Sequence, residues 1–508
     1  METRDMLKES EVTQISEKLK SFGSLIDEVA YGRKDVKEID SIAETVEKWL
    51  DDDQLNTFDR LMSYYILGQA CNTQKCLTHD PSKAMFNHPL AMKEICCYRM
   101  TLRIVDDIKE KGIWSLLNTA KGCEYQAHVH LGNVYDHLGR HQDALHSYNI
   151  AGVLIPSDYM WQFNLGFSYG GMFGYYEARV QPLLVDKARK LLAPFLKKPQ
   201  TTRSATQMYN RLSRLRVPDK LEDKNIEYGT AEEDVYNKWV NENYLRLNAY
   251  NEIAPRSLYA QDDSLYFDTL YTAKGSQSDS YRMMSMLNEI KQEYVSARYM
   301  LYSYFKESGK SHFSDKNVRI VEVCQYANYS YNVEMAKSAF RSLYSLLDKI
   351  AFALNGYLQL GIKGNDVSFK SFWYPDKKSR NLRQEILNYS AVISLAGLLF
   401  IRNDIYGGNE SYLQGEETKK LQRVRNAMEH RAIQIVDDGF MEDKDAVLII
   451  SRGDFEKVAM NLITTVRQAI FCFVNAVKHI EYDKITEARK QGIVMEEYVN
   501  DVLDEEKV

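Results

Sequence analysis

The stretch YQAHVHLGNVYDHLGRHQDALHSYNIAGVLIPSD, residues 125–158, decides the organisation of the first half of the chain. Gly132 and Ala144 are small residues that allow two antiparallel helices to approach closely. Tyr135 and Tyr148 are large residues that can fill the seam between those helices. Pro156 stops the second helix, because proline lacks the N–H that a helix interior needs. The stretch therefore predicts a helical hairpin.

In a 34-residue frame that begins at Tyr125, this hairpin resembles the tetratricopeptide pattern. The matching residues are Leu131, Gly132, Tyr135, Ala144, Tyr148, Ala151 and Pro156. A weaker copy follows in register at Leu165, Gly166, Tyr169 and Ala178, but Pro182 requires its second helix to differ. A third hairpin is predicted earlier, at Leu67–Gly68 and at Ala91, Ile95 and Tyr98. We expect a stacked array over 51–215 after an N-terminal helical segment at 1–50, and the repeats imply a protein or peptide partner.

Length and composition favour several helical domains. At 508 residues the chain is too long for one ordinary core, and its 9 prolines and 25 glycines are too few for an all-β protein. The net charge of −6 excludes a generally basic surface, although a local basic patch could still bind nucleic acid. No run of about 18 apolar residues occurs, and the start METRDMLKESEV has no apolar signal core. We therefore expect a cytoplasmic protein without a membrane partner.

The seven cysteines are odd in number and scattered, so they do not indicate a disulfide framework. One group could be interpreted as a zinc cluster: Cys71, Cys76, His79, His88 and Cys96. Its spacing matches no common structural zinc pattern. Reduced, buried thiols explain the cysteines better, and we predict no metal or other cofactor.

Helical periodicity resumes in the second half of the chain. A connecting region is predicted at 216–277, a helical bundle at 278–490 and an acidic tail at 491–508. Predicted helices cover 278–309, 316–362, 381–406, 416–438 and 454–486. The segment AVISLAGLLFI is apolar nearly all round and should lie centrally in the bundle.

The segment LQRVRNAMEHRAIQIVDD, 421–438, combines an apolar face with a polar stripe. At 100° per residue, one face holds Leu421, Val424, Met428, Ala432 and Ile435. The opposite stripe holds Lys419, Arg423, Asn426, His430, Gln434 and Asp437. Such a helix can pack on a bundle while it presents arginine, asparagine and histidine together.

Arg425–Asn426–x-x-x–His430 resembles the Arg–polar–x-x-x–His signature of the HEPN superfamily, whose members are metal-independent ribonucleases that act as dimers. The region 230–486 is similar to a HEPN branch found behind helical repeats in bacterial proteins. The similar stretches are YNKWVNENYLRLNAYNEI (236–253), SLLDKIAFALN (345–355), SFWY (371–374) and LLFIRNDIY (398–406). The resemblance implies an all-α fold, with tetratricopeptide-like hairpins followed by a HEPN-type bundle that forms a homodimer.

These residue types suit RNA cleavage. Histidine can take the proton of the attacking 2′-hydroxyl and protonate the leaving oxygen, and arginine can bind the phosphate oxygens. The predicted catalytic residues are Arg425, Asn426 and His430, and Arg423, Lys419 and Lys420 are predicted to bind RNA. On an ideal helix Arg425 lies about 140° from His430, whereas Arg423 lies within about 20°. The signature favours Arg425 as the catalytic arginine, and helical geometry favours Arg423.

Local charge supports an anionic ligand. Residues 370–431 contain eleven Lys and Arg against seven acids, although the whole chain is acidic. Phe372, Trp373 and Tyr374 could stack on bases, but aromatic clusters are more often part of a core. The acidic tail is expected to be solvated, and shielding of the basic region is a second possibility.

The sequence favours an RNA-cleaving effector whose helical repeats sense a protein or peptide. The resemblance suggests antiviral defence or stress-induced growth arrest. Two alternatives remain at this stage. One is a non-catalytic dimeric scaffold or peptide-responsive regulator, and the other is a toxin that an antitoxin silences.

Overall fold

A computed structural model describes residues 9–490 apart from 52–54, 81, 177–179, 198–201, 216–230, 269, 271–276, 308–309, 322–326, 377–378, 380, 408–415, 438–441 and 445. The described residues are mostly helical, as predicted for an all-α chain. The acidic tail at 491–508 lies outside the described residues.

The first half of the chain is a row of antiparallel helices. Successive helices pack as the hairpins α3–α4, α5–α6 and α7–α8. The nine helices described here are α1 Glu9–Ala30, α2 Lys37–Leu50, α3 Thr57–Thr78, α4 Pro89–Glu110, α5 Leu117–His137, α6 His141–Leu154, α7 Met160–Gly171, α8 Gln181–Leu192 and α9 Thr202–Arg214.

Each of the three hairpins has a glycine at its seam. A Cβ atom at Gly68 would lie 2.8 Å from the Tyr98 ring, and a Cβ at Gly166 would lie 2.9 Å from Leu192. At the hairpin of 125–158, a Cβ at Gly132 would collide with the Tyr148 ring. The seam predicted from the sequence is therefore present. It recurs because only glycine lets these helices approach a large side chain so closely.

The second half of the chain forms a bundle around two long central helices. Its helices are α10 Glu232–Glu242, α11 Gln277–Lys306, α12 Tyr331–Tyr357, α13 Gln384–Leu387, α14 Ile393–Tyr406, α15 Glu416–His430 and α16 Arg452–Lys490. Helix α14 is buried almost throughout, as its apolar sequence predicted. Helix α12 begins later than predicted, because Ser330 caps it by accepting a hydrogen bond from the Val333 N–H.

The prediction of one helix over 416–438 was wrong beyond His430. Residues 432–436 form strand β1 (Ala432–Val436) of a small sheet, with β2 (Glu442–Lys444) and β3 (Val447–Ser451). The strand order is β1-β3-β2, with β1 parallel and β2 antiparallel to β3. Three β-branched residues, Ile433, Ile435 and Val436, favour the strand, and all three are buried. Gln434 and Asp437 therefore do not continue the polar stripe of α15.

The described part of the connecting region shares a core with the bundle. Leu245, Leu247 and Leu265 belong to the same apolar cluster as α11, α12 and α16. Arg467 of α16 pairs with the buried carboxylate of Glu252 and donates its Nε–H to the Arg246 carbonyl. This segment therefore fastens the long helix α16 to the bundle.

The hairpin array packs on the bundle through its turns. Ala84, before α4, donates its N–H to the Ser390 carbonyl, and Asn403 of α14 donates to the Asn87 side chain at 3.2 Å. At the α5–α6 turn, Gly139 has a φ of +72°, and a Cβ there would lie 2.7 Å from the Ser394 nitrogen. The backbone of the α5–α6 turn thus packs directly on the backbone of α14, and the two halves of the protein meet there.

Within the described residues, one helix has the length and mean hydropathy to cross a bilayer. This helix is α16, and 78% of its apolar window is buried inside the protein. Its packing in the bundle core accounts for the apolar sequence.

Candidate active site

Helix α15 carries all six residues that the sequence analysis selected. Val424 and Ala427 are fully buried, and Leu421 and Met428 are nearly so, which confirms the predicted apolar face up to His430. Gln422 donates from Nε2 to the Ile405 carbonyl at 3.1 Å and so fixes α15 against α14. The buried face of α15 is therefore fixed in place, and the helix presents its polar side chains from that position.

Arg425 is held by three neighbours. Its Nη2 lies 2.7 Å from Oε2 of Glu429, and its Nη1 donates to Oδ1 of Asn426 at 3.1 Å. The guanidinium carbon stands 5.2 Å from the ring centroid of Tyr344, which allows a cation–π contact. About a third of the Arg425 side chain is exposed, so the guanidinium is fixed but accessible.

His430 is the last residue of α15, and its side chain is 69% exposed. Its Nε2 lies 3.6 Å from Oε2 of Glu429, the oxygen that also binds Arg425. One carboxylate oxygen therefore stands between the guanidinium and the imidazole. On an ideal helix Arg425 and His430 point in different directions, and here Glu429 links the two side chains by contacting both.

The other predicted residues are distributed differently. Asn426 and Arg423 are exposed, and Lys419 is half-buried. Lys420 lies 2.8 Å from the Asp454 carboxylate at the start of α16. The structure thus brings Arg425 and Asn426 into contact and links His430 to them through Glu429. It pairs Lys420, predicted to bind RNA, with an acid.

The aromatic support beneath Arg425 was not predicted from the sequence. Tyr344 of α12 and Tyr406 of α14 meet edge to face with ring centroids 5.9 Å apart, and their hydroxyls share a hydrogen bond. Burial raises the pKa of Tyr406 to about 12, so this phenol stays protonated at neutral pH. On α12, Asp348 follows Tyr344 by one turn and accepts the Phe369 N–H at 2.7 Å. The i, i+4 spacing of Tyr344 and Asp348 is the signal that could have indicated this face.

Two other groups of residues do not form ligand sites. Phe372 and Trp373 are 1% and 0% exposed and Tyr374 is 8% exposed, so these aromatics belong to the core and do not offer free faces to bases. Among the residues that the structure describes, no group of three His, Cys, Asp or Glu side chains could hold a metal ion. The cysteines and histidines of 71–96 are therefore not assembled into a zinc site.

The chemistry available on α15 is that of acid–base catalysis beside an anion-binding group. The exposed imidazole can exchange protons with a ligand, and the fixed guanidinium can bind the oxygens of a phosphate. Glu429 neutralises Arg425 while no anion is bound. A phosphodiester at this position would replace the carboxylate as the partner of the guanidinium.

A family model matches part of the second half of the chain. The family model described as LA2681-like HEPN matches residues 275–480, which contain α12, α14, α15 and most of α16. No curated protein and no solved structure matches the chain.

Proposed function

Because the LA2681-like HEPN family model matches residues 275–480, we propose that the chain is a metal-independent endoribonuclease with its active site on α15. The observation that carries the proposal is the shared contact of Glu429 Oε2 with Arg425 at 2.7 Å and His430 at 3.6 Å. This contact supports the proposal, because an anion-binding guanidinium and a proton-carrying imidazole would then stand on either side of one point. A scissile phosphate that displaces this carboxylate would meet both groups.

In the proposed reaction the 2′-hydroxyl of RNA attacks the adjacent phosphorus. His430 takes the hydroxyl proton, and Arg425 binds the phosphate oxygens as negative charge builds on them. The bond to the 5′-oxygen breaks, and an imidazolium returns a proton to that oxygen. The products are a 2′,3′-cyclic phosphate and a free 5′-hydroxyl. Asn426, bonded to Arg425, orients the guanidinium.

We further propose that two copies complete the site. One α15 helix supplies a single histidine, whereas the reaction needs a base for attack and an acid for departure. A homodimer with a twofold axis near the exposed His430 would bring two imidazoles together. The hairpin array would then bind the protein or peptide that controls cleavage, in a cytoplasmic role in antiviral defence or stress-induced growth arrest.

The decisive experiment is cleavage of labelled tRNA and total RNA in EDTA by the wild-type protein and by His430→Ala. We expect wild-type cleavage that leaves 2′,3′-cyclic or 3′-phosphate ends, and a loss of about 10²–10⁴-fold in the variant. A substrate with a 2′-deoxy residue at the cut site should resist. Cleavage that persists in His430→Ala, or that requires a divalent metal, would contradict the proposal.

A further inference from the structure

Two further cations stand near the Arg425 site, each over a tyrosine ring. The Lys370 ammonium lies 5.9 Å from the ring centroid of Tyr406, the ring that packs on Tyr344 beneath Arg425. Arg402 of α14 lies over the Tyr374 ring with its guanidinium carbon 5.4 Å from the centroid. Its Nε donates to the Lys370 carbonyl at 3.1 Å, which fixes the loop that carries Lys370. The charges of Arg425 and Arg402 both act on the Tyr406 hydroxyl.

Among the described residues, the hydrogen-bond partners of Arg402 carry no negative charge. Its hydrogen bonds go to uncharged oxygens: the carbonyls of Lys370 and Gly407 and the side-chain amide of Asn403. Burial lowers the pKa of Arg402, and the phenols of Tyr374 and Tyr406 oppose that shift. A partly buried guanidinium held in this way attracts an anion strongly, because little solvent and no carboxylate among these partners screens its charge.

Lys370 adds an exposed charge at the same place. It follows Phe369, whose N–H is held by Asp348 on the α12 face beneath Arg425. The loop is therefore tied on one side to the Arg425 site and on the other to Arg402. Arg425, Lys370 and Arg402 thus each lie over a tyrosine ring, and all three are close to Tyr406 or to the ring that packs on it.

We propose that Lys370 and Arg402 form a second phosphate-binding subsite, which holds a phosphodiester next to the one bound by Arg425. The ligand class is the backbone of single-stranded RNA, which carries one negative charge per nucleotide and can follow a row of cations. This inference rests on the proposed function and deepens it. It assigns binding of the strand to a loop and a helix outside α15, and it gives Tyr406 the role of a spacer between two phosphates.

The test uses a single-stranded RNA with 2′-O-methyl groups throughout, which cannot be cleaved by 2′-hydroxyl attack. Its affinity is measured from low to high salt for the full-length wild type, Lys370→Ala, Lys370→Arg and Lys363→Ala. Lys363 is a matched control, because it is an exposed lysine of the same α12–α13 connection and its removal changes the net charge equally. Cleavage of an unmodified RNA gives KM and kcat separately for the same proteins.

We expect Lys370→Ala to bind about 3- to 10-fold more weakly and to lose about 0.7 from the slope of log affinity against log salt. Its KM should rise by a similar factor at unchanged kcat, whereas Lys370→Arg and Lys363→Ala should behave as the wild type. Equal affinities for Lys370→Ala and Lys363→Ala would overturn the subsite while RNA cleavage stands. Binding that depends on Lys370 without any cleavage would instead refute the reaction alone. A wild type that binds no RNA would refute both proposals.

Discussion

Asp404 and Tyr406 stand two residues apart on α14 and contact opposite parts of the protein. The Asp404 carboxylate binds Nη1 of Arg99 at 2.7 Å and Nη1 of Arg140 at 2.6 Å, and both arginines belong to the hairpin array. The Tyr406 ring packs on Tyr344, which supports Arg425. One turn of helix thus joins the array to the proposed active site, so a partner that shifts the array would act on α14 first.

Asp404→Asn tests this junction. Burial alone would raise the pKa of the Asp404 carboxyl, but Arg99 and Arg140 outweigh it and hold this pKa at about 2. The carboxylate therefore stabilises the fold above about pH 4, and this contribution is lost as the pH falls from about 4 to 2. We expect the variant to lower the free energy of unfolding by about 2 kcal/mol at pH 7 in urea titrations, because Arg140 loses a buried partner.

The control is Asp186→Asn, which removes a carboxylate from a surface pair with Lys190. Its free energy of unfolding should change by less than about 0.5 kcal/mol. If Asp404→Asn were no less stable than Asp186→Asn at pH 7, the contact between the array and α14 would contribute little to the free energy of unfolding.

Gly132→Ala tests the seam of the second hairpin. Its Cβ would collide with Tyr148, which is 2% exposed and donates its hydroxyl to Asn133 at 2.8 Å. The ring cannot withdraw without breaking that bond, so we expect a loss of about 1–3 kcal/mol. Gly122→Ala on the same helix is the control, since a Cβ there has no heavy atom within 4 Å. It should leave the melting temperature unchanged or raise it. Similar melting temperatures for the two variants would contradict the seam.

His130 makes the stability of the array dependent on pH. Burial lowers its pKa to about 4, and its ring stacks on Tyr98 with centroids 5.0 Å apart. Between about pH 6.5 and pH 4 the unfolded chain binds a proton that the folded chain excludes. The free energy of unfolding therefore falls as the pH is lowered through that window. In His130→Gln the drop in melting temperature from pH 7 to pH 5 should be smaller than in the wild type, and an equal drop in the two proteins would contradict this role of His130.

Arg425→Ala and Arg423→Ala decide which arginine acts on the phosphate. Arg425 is fixed by Glu429, Asn426 and Tyr344, whereas Arg423 lies on the exposed side of α15. We expect kcat to fall about 10²–10³-fold in Arg425→Ala, comparable with loss of one oxyanion donor, and KM alone to rise in Arg423→Ala. Arg425→Lys should recover little, because lysine lacks the fork that binds two phosphate oxygens. The reverse pattern would assign catalysis to Arg423.

The oligomeric state tests the composite site. We expect light scattering of the full-length protein at micromolar concentration to give the mass of two chains. His430→Ala should keep the mass of two chains but lose activity, because the single exposed side chain of His430 contributes little to association. A monomer with full activity would show that one α15 helix is sufficient.

Much of the fold could be predicted from the sequence, because hairpin and bundle helices repeat a local pattern. Gly132 and Tyr148 stand in one repeat, so their contact follows from helical periodicity. The strand at 432–436 was not predicted, because Ala432 and Ile435 also fit a helical face. Only pairing with β3, whose residues lie outside the helical segment, selects the extended form.

The candidate site could be proposed from the sequence only along one helix. Arg425, Asn426 and His430 lie close together in sequence, and their signature marks them. Lys370, Arg402 and Tyr406 come from a loop and another helix, so their meeting with Arg425 depends on how α12, α14 and α15 pack. The local basic excess indicated an anion there, but it could not show that Lys420 is occupied by Asp454.

The approach of Gly139 to Ser394 has a consequence for synthesis. The hairpins precede α14 in the chain and therefore leave the ribosome before it. Helix α14 then packs against the hairpin surface at Gly139, where a side chain would block its approach. Arg425 follows α14 in the sequence and is therefore synthesised after it. A fragment that contains only the second half of the chain would lack the hairpin surface on which α14 packs. We expect the proposed site on α15 to assemble only after α14 has packed on the hairpins, because Arg425 follows α14 in the chain and the hairpins precede it.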